Sequence, residues 1–432
     1  MPDSVSSRVV VIGAGIVGAC CALELVRDGH RVTIVEPGEP GGRHAASYGH
    51  GCWISPASVV PMSMPGLWKR LPAYLFDAHG PLVIRWRHIG TLLPWLVRFL
   101  LAGSTVGRVE ATARALATLL RDGPARHLAL AAELGMPGMV RREGLLYAYP
   151  DRKAFEAEGL SWRLRGMTGL DWKELDRDQL RAREPGLAES YGFGILVEAG
   201  AHCLDPGAYV ARIVETAVRR GARHIRARAT DFVFRGERLL AVEAEGSRIG
   251  CDRAVVAAGA WSGKLARLAG DRIPLESERG YHVVMQAPQG GPLHPLMPSD
   301  GRMANTPTAH GLRLAGQVEL ACLDAPPNWE RADILLDHAR RTYPSMPAVS
   351  AADRWMGHRP STPDGRPVIG RSSRSPDIVH AFGHGHIGFA SGPITGRMVA
   401  DLVADRPQAS DLCAFDPRRF ARRRRSLNSS GV

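Results

Sequence analysis

Arg8-Val-Val-Val-Ile12 runs directly into Gly13-Ala-Gly15-Ile-Val-Gly18. The first five residues are apolar and rich in β-branched types, as a buried parallel strand requires. Ala19 to Arg27 reads as a helix stopped by Gly29, and Arg31-Val-Thr-Ile-Val35 as a second strand ending in Glu36. Strand, glycine turn, helix, strand and acid in this order form a dinucleotide-binding βαβ unit. Gly13 permits the tight turn, Gly15 the approach of backbone to a pyrophosphate, and Gly18 close packing of helix on strand. Ile16 and Val17 lie in the turn that leads into the helix, whose free N–H groups and positive end suit phosphate. Glu36 stands where a carboxylate accepts ribose hydroxyls and repels a 2′-phosphate, which argues against NADP. The fingerprint alone does not separate NAD from FAD.

Working outward, Gly41 to Pro65 is rich in Gly, Ser, His and Pro and reads as a loop near a ligand. Pro81 to Leu101 reads as one or two amphipathic helices packed on the body, with a membrane-surface or partner contact as the alternative. Glu110 to Leu134 has helical periodicity with a break at Gly123-Pro124. Asp205-Pro206 opens another helix, with Asp as N-cap, Pro at the first position and Gly221 as the stop. Ala229 to Val242 reads as a hairpin, Arg253 to Gly259 as a buried strand, and Gly280 to Gln286 and Leu312 to Leu323 as strands of a second sheet. The expected fold is α/β: a discontinuous Rossmann-like domain (1–80, 200–265 and 355–410) and a mixed-sheet substrate domain (81–199 and 266–354). A basic tail, 411–432, follows.

The formal charge is +12 over 432 residues, and arginine supplies 51 of the 55 cations. Arginine in place of lysine almost throughout points to codon bias, not to a nucleic-acid surface, which needs cations clustered among aromatics. The one dense cluster, Arg418, Arg419, Arg422, Arg423, Arg424 and Arg425, reads as a solvated tail, with an anionic membrane surface as the alternative. Seven cysteines without a CxxC pair suggest neither disulfides nor a zinc site. No signal peptide precedes the first strand and no run of about 20 apolar residues occurs, so the expected location is cytoplasmic, with peripheral attachment to the inner membrane face as the alternative.

Two late motifs separate FAD from NAD. They are Trp355-Met-Gly-His-Arg-Pro-Ser-Thr-Pro-Asp-Gly-Arg-Pro-Val-Ile-Gly370 and Phe382-Gly-His-Gly-His-Ile-Gly-Phe-Ala-Ser-Gly-Pro393. With the glycine fingerprint, and with Ser47 to Pro56, Ala257 to Ser262 and Arg279-Gly-Tyr-His282, the chain resembles the D-amino-acid oxidase superfamily. It is most similar to the small subunit of bacterial D-amino-acid dehydrogenase and its hydroxyproline-oxidising relatives. The resemblance covers nearly the whole chain. It implies noncovalent FAD between two domains, since Gly357 stands about where sarcosine-oxidase relatives carry a flavin-linking cysteine. It implies cofactor contacts from Ser47, Gly51, Cys52, Thr230, Ala258, Gly259, Gly383, His384, Gly385, His386, Ile387 and Gly388.

The resemblance also implies that Arg359 pairs with a substrate carboxylate, for which a guanidinium fork is well shaped. Tyr281 would complete that clamp, and a structural place in the sheet is its equal alternative. By the same resemblance His50 and His384 would stand at the reacting centre. His384 and His386 lack the carboxylates a metal site would need, so no metal is expected. The implied reaction is hydride transfer from Cα of a small amino or imino acid, of the D series or hydroxyproline-like, to flavin N5. Electrons then pass to a quinone, a partner protein or oxygen. An NAD-dependent dehydrogenase, a noncatalytic FAD subunit and a basic nucleic-acid or membrane binder are the competing readings. Oligomeric state is left open.

Overall fold

The computed structural model describes residues 6–69, 82–85, 88–286, 289–347, 352–408 and 412–421. The decisive stretch folds as its pattern predicts. Strand Arg8–Ile12 lies parallel to Arg31–Val35, with helix Ile16–Arg27 crossing between them. These strands sit in a six-stranded sheet, in the order 223–225, 31–35, 8–12, 253–256, 378–382 and 368–371. The first five are parallel and the last is antiparallel. Helix Ile16–Arg27 buries most of its circumference, because helices Pro206–Arg219 and Gly388–Val403 pack on it from both sides. Gly396 permits the closest approach, since a Cβ there would stand 2.8 Å from the Cys20 backbone.

The second sheet has nine strands. Its long members, Asp353–Ser361, Glu276–Met285 and Gly311–Leu320, are antiparallel neighbours. Helix Glu330–Thr342 packs against them around a separate apolar core. One expectation is corrected here. Residues 355–361, assigned above to the nucleotide domain, pair with Glu276–Met285 and belong to the nine-stranded sheet. Strand pairing is set by partners distant in sequence, so the boundary falls after Ser361.

The break at Gly123-Pro124 separates helices Val106–Leu120 and Gly123–Glu133. Asp205 caps Pro206–Arg219 through a hydrogen bond from the Ala208 N–H, 3.0 Å. Pro81 to Leu101 holds one helix, Ile89–Ala102, while Trp86 and Arg87 lie outside the described residues. The tail expectation changes in part. Arg419 is nearly buried and pairs with Asp364 at 2.8 Å, and Arg418 pairs with Asp416 at 2.6 Å. Arg422 to Arg425 lie outside the described residues. Among the described residues no single helix is long and apolar enough to cross a membrane.

Candidate active site

Four parallel strands deliver their C-terminal ends to one place. Gly13 follows Arg8–Ile12, Glu36 follows Arg31–Val35, Ala257 follows Arg253–Val256 and Gly383 follows Ile378–Phe382. Ligands of open α/β sheets bind outside such ends. Most of these loops line a cavity of about 1010 Å³, whose far wall is the nine-stranded sheet.

One end of the cavity is a phosphate cradle by its own geometry. Gly13 has φ +104°, and a Cβ on it would stand 2.4 Å from the Ala257 carbonyl oxygen. A Cβ on Gly18 would stand 2.0 Å from the Gly13 oxygen, so helix Ile16–Arg27 starts flush against the turn. No side chain of Gly15, its N-cap, satisfies the first turn. Ser47 Oγ accepts from the Ile16 N–H at 2.9 Å, tying the 41–65 loop to the helix start. Glu36 is buried and accepts from the N–H groups of Ala14 (2.8 Å) and Gly38 (3.1 Å), with its side chain at the cavity wall. An extended dinucleotide fits these residues: a turn no side chain can enter, a helix N-terminus on the cavity wall and a fixed acid.

The other end carries a cation. Gly280 and Gly357 face each other in register on neighbouring strands. Because Gly280 has no side chain, the Arg359 guanidinium lies across it; a Cβ at 280 would stand 2.4 Å from Arg359 Cζ. The Trp355 indole similarly covers Gly49 and Gly357, donates to the Arg43 carbonyl at 2.7 Å and stacks on His282. Arg359 donates to the Gln317 carbonyl at 3.0 Å and makes no ion pair among the described residues. Burial lowers its pKa, partly countered by Glu278, its register partner. A guanidinium stays cationic under such a shift, so it presents a positive charge to the cavity.

Three imidazoles line the same cavity, and burial keeps each neutral. His50 stacks on Phe389 with centroids 4.7 Å apart; burial, then Arg359 and Arg313, push its pKa down to about 3. His384, with Nε2 3.2 Å from Thr395 Oγ1, is also lowered to about 3 by burial. His386 falls to about 4 through burial and Arg359. Groups this weakly basic are poor acceptors for the proton of an ammonium. Arg313 donates to the carbonyls of Tyr48 and His50 at 2.9 and 3.0 Å, fixing the loop that carries His50.

Gly13, Gly15, Ile16, Val17, Glu36, Ser47, His50, Gly51, Thr230, Ala258, Gly259, Arg359, His384, Gly385, His386 and Gly388 all line this one cavity. Five predicted residues do not. Gly18 supports the turn from behind. Cys52 is buried at φ 68°. Gly383 lines a separate water-sized cavity of about 30 Å³. Ile387 is the buried N-cap of Gly388–Val403. Tyr281 is the clear correction. Alternation along Glu276–Met285 points it away from Gly280, and its hydroxyl donates to Glu319 and accepts from the Asn328 N–H at 3.0 Å. Among the described residues no group of three His, Cys, Asp or Glu could hold a metal ion. The sequence gives Gly280 and Arg313 no role of their own; the signals for Gly280 are its place in the Arg279–His282 stretch and a glycine inside an otherwise good strand.

A dinucleotide cradle at parallel strand ends, facing the Arg359 guanidinium on a mixed sheet, fits a nucleotide-dependent oxidoreductase. Residues 8–402 match the FAD dependent oxidoreductase family, and the chain belongs to it. The chain is 49% identical over 423 residues to a D-amino-acid oxidase of Bradyrhizobium diazoefficiens, covering 97% of this chain and 100% of that one. It is 30% identical over 419 residues to a D-amino acid dehydrogenase of Paramagnetospirillum magneticum, covering 96% and 99%. Among solved structures it resembles L-proline dehydrogenase from P. horikoshii, with TM-score 0.73, 20% identity and coverage of 96% and 98%. Glycine oxidase from Geobacillus kaustophilus gives TM-score 0.72, 22% identity and coverage of 95% and 98%. The chain is therefore an FAD-dependent oxidoreductase with a Rossmann-like domain and a mixed-sheet domain.

Proposed function

We propose that this chain oxidises the Cα–N bond of a small amino or imino acid of the D series. One observation carries the reading: the Arg359 guanidinium, without an ion pair among the described residues, faces the same cavity as the Gly13–Gly18 cradle. FAD, when bound, supplies a two-electron acceptor for hydride. Gly13, Gly15 and the start of helix Ile16–Arg27 would hold its phosphates and Glu36 its ribose. Arg359 binds the substrate carboxylate through a charge-assisted fork, and Gly280 keeps that fork flat against the sheet. Orientation by this pair supplies much of the rate advantage, as expected where a cofactor carries the chemistry. The neutral imidazoles of His50, His384 and His386 line the reacting region without adding charge there. Solvent, not a histidine, takes the proton of the substrate ammonium. The names of the relatives support an amino acid as substrate. The 49% identical relative is named an oxidase, which supports oxygen as the electron acceptor.

The test is Arg359→Met. Loss of a charge-assisted pair costs roughly 1.5–3 kcal/mol, so KM for a D-amino acid should rise on the order of 10- to 100-fold while flavin content stays unchanged. Unaltered KM removes the carboxylate role. Hydrogen peroxide equal to the imine formed supports oxygen as acceptor; no peroxide points to a quinone or a protein.

A further inference from the structure

Helix Gly388–Val403 opens at the cavity, and its second residue, Phe389, lines it. Pro393 sits inside that helix. Proline has no N–H, so the carbonyl four residues earlier loses its helical donor. That carbonyl belongs to Phe389. It is not left unpaired: His127 Nε2 donates to it at 2.8 Å. His127 comes from a different helix, Gly123–Glu133, and is completely buried. With Nε2 donating, Nδ1 must accept, and the Tyr209 hydroxyl stands 3.1 Å away to donate to it. The helices meet closely, since a Cβ on Gly123 would stand 2.9 Å from the Ala390 oxygen.

His127, Phe389 and His50 form a stack that reaches the cavity. The His127 ring lies parallel to Phe389 (5.5 Å, 5°), and Phe389 lies parallel to His50 (4.7 Å, 11°). Phe389 and His50 line the cavity, whereas His127 does not. We propose that His127 is a positioning residue: it replaces the hydrogen bond that Pro393 removes, fixes the first turn of Gly388–Val403, and through Phe389 holds His50 against the cofactor. This rests on FAD occupying the cavity. Burial, which lowers the His127 pKa to about 4, keeps the ring in the neutral form that a donor–acceptor relay needs.

The test uses the full-length holoenzyme and a rescue. His127→Phe keeps a ring for the stack and removes the donor. One unpaired buried carbonyl should weaken FAD binding by about tenfold, read as the dissociation constant from flavin fluorescence on dilution. Pro393→Ala restores the missing backbone N–H. Added to His127→Phe, it should return the dissociation constant to near the wild-type value. Should His127→Phe alone fail to fold, a folded double variant with near wild-type affinity supports the proposal equally. Unchanged affinity in His127→Phe overturns it, as does failure of Pro393→Ala to rescue affinity or folding. Wild-type protein that binds no FAD overturns the reading of the cavity itself, a result distinct from these.

Discussion

Arg359 and Gly280 show how one side chain's chemistry depends on another's absence. The guanidinium lies flat because position 280 has no Cβ. Gly280→Ala should push it off the sheet and raise KM for a D-amino acid by about tenfold, the scale of one displaced charge-assisted bond. Flavin content should not change, and a wild-type KM in this variant would mean that the guanidinium tolerates the methyl group. The histidines make a second prediction. His50, His384 and His386 are lowered to about 3, 3 and 4, so none titrates between pH 5 and 9. The pH profile of kcat/KM should then climb with loss of the substrate ammonium proton and show no limb near 6.5; a limb there that disappears in His386→Asn would contradict this. The place of Arg359 at the cavity was legible because a long motif surrounds it. Gly280 was not, because its role exists only once Asp353–Ser361 pairs beside it. Tyr281 misled for the same reason: which face of a strand looks into a cavity depends on the partner strands.

Elements defined by local chemistry were read well, and those defined by distant partners were not. The helix from Pro206 is an example of the first kind, since Asp205 and Pro206 carry the start signal within two residues. Asp205→Ala should cost about 1 kcal/mol through the lost cap, seen as a lower urea midpoint with FAD affinity retained. An unchanged midpoint would show that the Ala208 N–H finds another acceptor. The strand 353–361 is of the second kind. Its residues form a strand in either domain, and only the register Glu276↔Ser361 to Val284↔Asp353 decides which. The contact of Gly123–Glu133 with Gly388–Val403 was equally hidden. Pro393 in a helical pattern announces a missing donor, but not that His127, 262 residues from the Phe389 carbonyl, supplies its replacement.

Over the whole molecule, two sheets with separate cores share one cavity, and burial there has a consequence for acid stability. His50, His127, His282, His384 and His386 are all pushed to about 3–4, against 6.5 for a free histidine. Between those values the unfolded chain binds protons that the folded chain refuses, so stability is complete above about 6.5 and drains away as pH falls toward 4. The melting temperature should therefore drop steadily from pH 7 to pH 4.5, and a flat or rising trend would contradict the neutral burial of these rings. The central claim is narrower: the Gly13 cradle and the Arg359 guanidinium serve one reaction in one cavity. Its most direct measurement is anaerobic titration of the purified holoenzyme with D- and L-amino acids and cyclic imino acids, followed by the flavin absorbance. The account predicts that a small D-amino or imino acid bleaches the wild-type flavin, and that Arg359→Met, with its flavin still bound, needs far higher concentrations. Bleaching at the same concentration in both proteins, or in neither with any amino or imino acid, would contradict it.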